Sequence, residues 1–79
     1  MIEPLHIKMA LAALDMTKAQ LGEAAGVSSQ TIAKAIAGKG VNSNTLTTIE
    51  RYFQWRGLEF FNKGDARHLG EGIGVRFKT

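Results

Sequence analysis

Four residues in one short stretch carry the clearest chemical signal: Ser29, Gln30, Ala33 and Lys34. A glutamine amide can bond both N6 and N7 of adenine. A lysine can reach O6 and N7 of guanine, a serine is permissive, and an alanine methyl can touch a thymine methyl. Positions three and four apart share one face of a helix. That face is polar and carries no acid, whereas a solvated helix face usually mixes both signs of charge. These four are the expected base-contacting residues for double-stranded DNA, on a helix over 28–37 that fits the major groove.

A second group suits phosphates. Helix N-termini offer free N–H groups and the positive end of the dipole. Thr17 and Lys18 stand at one expected helix start, and Asn42, Ser43 and Asn44 at another, with Lys39 in the loop between. Together with Thr31 they form the expected phosphate-contacting set. Each phosphate neutralised steepens the salt dependence by roughly 0.9 in log–log slope.

Other chemistries find little support. His6 and His68 are far apart in sequence and near no convincing acid or nucleophile pair, so each is expected to be structural or solvent-exposed. There is no cysteine, no HExxH and no Walker loop. The glycines of LGEGIGVRF lack the preceding strand and following helix of a phosphate loop. No catalytic residue, metal site, cofactor or small-molecule substrate is expected. Met9 and Met16 read as core filler.

The elements that must position the polar face follow from caps and periodicity. Residues 17–38 read TKAQLGEAAGVSSQTIAKAIAG. Thr17 is the expected N-cap of one short helix and Gln20 completes a capping box, with Met16 and Leu21 as staple. Gly26 suits the left-handed position that ends it. Ser28 caps the next helix, stapled by Val27 and Ile32, and Gly38 stops it. Two capped helices across so tight a turn must cross steeply, which is a helix-turn-helix arrangement. Leu21, Ala25, Val27, Ile32 and Ala35 or Ile36 can face one small core, while Gly22 and Ala25 are small where two helices approach.

Upstream, residues 1–3 are expected to be a frayed tip. Pro4 suits a first helical turn, and 5–14 is rich in helix formers with Ile7, Leu11 and Leu14 as the buried stripe. Downstream, Asn42 or Ser43 caps a fourth helix. Val41 and Leu46 as a staple favour Asn42. Leu46, Ile49 and Phe53 form its apolar face, and it runs to about Arg56 before Gly57. Tyr52 and Trp55 are expected at the core edge or under the C-terminal segment. Residues 58–61 (LEFF) and 75–78 (VRFK) have strand composition and suggest an antiparallel pair joined by the glycine-rich NKGDARHLGEGIG. A lone two-stranded ribbon is marginal in water, so it must pack on the helices, pair with another chain, or both.

Seventy-nine residues with 44% hydrophobic content suit a single domain, a helical core at 4–56 followed by a ribbon at 57–79. The formal charge of +3 is compatible with nucleic acid and weak as an argument alone. No apolar run approaches the roughly 20 residues of a spanning helix, and no signal segment opens the chain. A cytoplasmic or nucleoid location and no membrane partner are expected.

Residues 14–53 resemble the helix-turn-helix core of phage repressors, Cro proteins and the wider Xre family. The resemblance rests on Thr17, Leu21, Gly26-Val27-Ser28, Thr31-Ile32, Gly38, Thr45-Leu46, Ile49 and Phe53, in register without a gap. It implies a mainly α fold: a four-helix lambda-repressor-like core, here followed by a two-stranded antiparallel ribbon. It also implies a homodimeric transcription factor on near-palindromic operators, with base contacts at Ser29, Gln30 and Lys34. The position of Lys18, usually Gln, contacts phosphate in the family. Gly22 stands where alanine is usual, which looks sterically tolerable at about 1 kcal/mol of helix propensity. Leu11 and Ile36 replace an Arg–Glu pair of many members; two packed hydrophobes can replace a buried ion pair without loss. By analogy with Cro-like proteins, Leu58, Phe60 and Phe61 are expected to contribute to dimerisation. The rival reading is a protein-interaction module, such as an antitoxin-like partner-binding domain, that reuses the same core.

Overall fold

The computed structural model describes residues 2–63 and 72–78. In order these are α1 (Pro4–Leu14), α2 (Lys18–Ala25), α3 (Ser29–Ile36), α4 (Ser43–Trp55), β1 (Leu58–Phe61) and β2 (Gly74–Phe77). Residues 64–71 of the expected glycine-rich connection, including His68, lie outside the described residues, as do Met1 and Thr79.

Local capping sets the helix limits. The Thr17 hydroxyl accepts the Gln20 N–H at 3.1 Å, and Gln20 Oε1 accepts the Thr17 N–H at 2.9 Å. This reciprocal pair satisfies two otherwise orphaned donors. Gly26 closes α2 at φ 73°, in the left-handed region that a residue without Cβ enters freely. Ser28 Oγ accepts the Thr31 N–H at 3.2 Å and starts α3. Asn42 Oδ1 accepts the Asn44 N–H at 2.7 Å and starts α4, so the cap falls on Asn42. Asp15 takes φ 52° between α1 and α2, a conformation that a short polar side chain tolerates.

One core joins all four helices to the ribbon. Ile7, Ala10 and Leu11 of α1 meet Leu21, Ile32, Ala35, Ile49, Phe53 and Leu58 there. Leu14, Ala25, Val27, Ile36 and Leu46 pack half-buried around it. Leu11 is buried and Ile36 half-buried against this shared core, in keeping with apolar residues at both positions.

Three expectations need correcting. Ile2 is only 5% exposed and belongs to the core, so the N-terminal tip is anchored by an apolar side chain rather than frayed. Trp55 is 80% exposed; it ends α4 on the face away from Phe53 and is not covered by the ribbon. Gly22 is more than tolerable: a Cβ there would overlap the Val27 carbonyl oxygen, because the chain doubles back against α2 and the Val27 N–H bonds Gly22 O at 2.9 Å.

The ribbon packs on the helices. β1 and β2 are antiparallel, with Leu58 opposite Phe77 and Phe61 opposite Gly74. The second strand starts one residue earlier than its composition suggests. His6 holds the ribbon to α1. Its Nδ1 accepts the Glu3 N–H at 3.0 Å, which leaves the proton on Nε2, 2.8 Å from the Phe61 carbonyl oxygen that accepts it. The His6 ring also meets Phe60 edge-on at 5.3 Å. Of the two readings left open for His6, the structural one holds: the residue is fully buried with both nitrogens used.

Candidate nucleic-acid interface

The two faces of α3 are sharply different. Ile32 and Ala35 are buried, while Ser29, Gln30, Ala33 and Lys34 are all exposed on the opposite side. Among the described residues, the side chains of Ser29, Gln30 and Lys34 make no hydrogen bond or ion pair with the rest of the chain. Their donors and acceptors therefore remain available to a partner. The cap is satisfied separately by Ser28, so these outward side chains need not also hold the helix together. No acidic residue occupies the first turn of α2, α3 or α4, and Lys34 lies in the last turn of α3. An approaching polyanion meets no carboxylate at these helix starts.

Most of the expected phosphate residues are exposed too. Thr17, Lys18, Lys39, Asn42, Ser43 and Asn44 all reach solvent. Thr17 uses an oxygen lone pair for its cap and keeps its O–H proton to donate. Asn42 uses its carbonyl oxygen and keeps its amide NH2. Lys39 follows α3 at once, and its backbone N–H donates to Lys34 O at 3.0 Å, which fixes where the loop leaves the helix. Thr31 differs. It is half-buried, with its hydroxyl 2.8 Å from Ser28 Oγ, so capping occupies it.

The expected dimerisation residues sit elsewhere. Leu58 and Phe61 are buried in this chain's own core, and Phe60 lies half-buried between His6 and Phe53. Their side chains attach the ribbon to α1 and α4 instead of facing outward. Much of the ribbon's aromatic surface is covered within one chain, because four helices offer the ribbon more apolar cover than its length suggests.

A helix-turn-helix family model matches residues 7–61, from α1 through β1. The chain belongs to the Xre, Cro and lambda-repressor type of helix-turn-helix proteins. This helix-turn-helix domain is thus a member of a DNA-binding regulatory family. A comparison with curated proteins returned no match. Among the described residues, no helix of the domain is long and apolar enough to cross a membrane.

Sequence reasoning about this helix-turn-helix protein missed one basic side chain beside the expected set. Arg56, at the C-cap of α4, reaches back to Met16, the residue just before the Thr17 cap. The available signal was the four-residue spacing of Tyr52 and Arg56 on α4, which brings the two side chains together.

Proposed function

We propose that this protein is a sequence-specific double-stranded DNA-binding regulator of the phage repressor or Cro kind, reading operator bases with α3. The observation that carries the proposal is the exposed set Ser29, Gln30, Ala33 and Lys34, polar and free of acid, on a helix whose other face is buried. Gln30 and Lys34 supply the discriminating hydrogen bonds, Ser29 a permissive one, and Ala33 an apolar contact. Thr17 and Lys18 grip one phosphate wall of the major groove; Lys39, Asn42, Ser43 and Asn44 grip the other. Thr31 contributes by holding the cap.

The chain acts as one domain over 1–79 and binds as a homodimer, with half-sites about one helical turn, roughly 34 Å, apart. Because Leu58 and Phe61 are buried, a ribbon contact between subunits uses outward groups such as Phe77, which is 51% exposed. The regulator works in the cytoplasm or nucleoid by blocking polymerase, without a cofactor, metal or small-molecule substrate. The alternative of a protein-binding module fits α3 less well, since interface hot spots are enriched in large aromatic and arginine side chains and this face has none.

Selection of bound duplexes from a random DNA pool tests the proposal. The expected result is one enriched motif with twofold symmetry. Recovery of unenriched sequence, with binding erased by moderate salt, overturns it.

A further inference from the structure

We propose that Arg56 is a phosphate-contacting residue of the DNA surface, on the same wall of the groove as Thr17 and Lys18. The inference rests on the DNA-binding reading and extends it to a residue outside the recognition unit.

The argument starts from how the guanidinium is held. Arg56 Nη1 donates to Tyr52 Oη at 2.8 Å and lies 3.7 Å from Met16 Sδ. Tyr52 Oη in turn lies 3.8 Å from the same sulfur. The Arg56 guanidinium carbon is 5.9 Å from the centre of the Tyr52 ring. All these partners are neutral, and among the described residues no carboxylate pairs with Arg56. The charge is thus positioned but not compensated. A planar guanidinium held in this way loses less freedom on meeting a phosphate than a free lysine does.

Position supplies the second part. Met16 immediately precedes the Thr17 cap, so the Arg56 head stands beside the start of α2. At 13 residues, α4 is about 20 Å long. Its first turn carries the Asn42–Asn44 phosphate group, and its last turn carries Arg56 beside α2. α4 packs against α2, so Arg56 and the Thr17 cap belong to one patch of surface. Arg56 thus stands at the α2 end of α4 and Asn42 at its opposite end.

Phosphate contacts weaken all sequences alike when lost and reduce the salt slope, whereas base contacts change preference. The test measures binding of the intact protein to a selected duplex and to a random-sequence duplex over a potassium chloride series. Arg56→Ala is expected to weaken both duplexes by the same factor, roughly fivefold, and to lower the log–log salt slope by about 0.9 per subunit. Arg56→Gln keeps a donor for Tyr52 and gives the same slope change, which covers loss of folding in the alanine form. Tyr52→Phe keeps the charge and removes its anchor; the slope stays and affinity falls by less. Lys63→Ala removes an equal charge at the far end of β1 and leaves the slope unchanged. An unchanged slope in both Arg56 variants, or an equal drop in Lys63→Ala, overturns the proposal. Failure of the unaltered protein to bind either duplex sinks the underlying DNA-binding reading instead.

Discussion

The α2–α3 unit and the C-terminal ribbon solve the same problem in opposite ways. In α2 and α3 the defining bonds are local: Thr17 with Gln20, Ser28 with Thr31, and Gly26 between them. The two caps connect residues three apart and the Gly26 N–H bonds Gly22 four back, so the unit's shape is set by nearby residue types. The ribbon depends on a bond between His6 and Phe61, 55 positions apart, and on Leu58 and Phe61 entering a core built by the helices. Locally capped helices can leave a whole face of side chains unengaged. That freedom is what α3 presents outward. The ribbon is held instead by its inward side chains, Leu58 and Phe61, which enter the core.

The sharpest way to break the contrast is to remove the long-range bond. His6→Ala takes away the acceptor of the Glu3 N–H and the Nε2–H donor to the Phe61 carbonyl, and opens a cavity beside Phe60. A loss of about 2–4 kcal/mol of folding stability is expected from those two effects together. Urea unfolding measures it; a change below 0.5 kcal/mol would show that the ribbon is held by apolar packing alone.

The next variant attacks the tight turn. Gly22→Ala gains helix propensity of about 1 kcal/mol yet forces a Cβ into the Val27 carbonyl. The clash is expected to win, with a net loss of about 1–3 kcal/mol. A stabilised Gly22→Ala protein in thermal unfolding would mean that the α2–α3 turn relaxes easily. A smaller effect separates capping from recognition. Thr17→Ala removes one cap and should cost about 1 kcal/mol of stability while weakening DNA binding uniformly. Loss of binding confined to one sequence would place Thr17 at a base instead. At the low end, Trp55→Ala should change stability by no more than about 0.5 kcal/mol, because that side chain lies in solvent. A larger loss, read from the same urea curves, would mean that the ribbon closes over it.

This contrast also explains what could be read from the residues alone. Every helix start was legible because its signal sits within three residues: Pro4, Thr17, Ser28 and Asn42. The outward set on α3 was legible because the buried positions, Ile32 and Ala35, fix the helix phase. What escaped depends on distant partners. His6 has no periodic mark of its role, since its acceptor belongs to a strand formed much later in the chain. Burial of Ile2, Leu58 and Phe61 depends on where three separate elements meet. The demand on Gly22 comes from a backbone carbonyl beyond the turn, which no helix pattern displays. Arg56 was visible as a neighbour of Tyr52, but its approach to Met16 follows only from how α4 crosses the start of α2.

The claim on which the rest depends is that α3 reads bases. Its most direct test is the affinity of Lys34→Ala for a selected duplex and for random DNA at one fixed salt concentration. The expected outcome is a loss of about 1–3 kcal/mol on the selected duplex, relaxed preference at one base pair, and a much smaller loss on random DNA. Equal losses on both duplexes would contradict the account, since Lys34 would then be touching only the sugar–phosphate backbone.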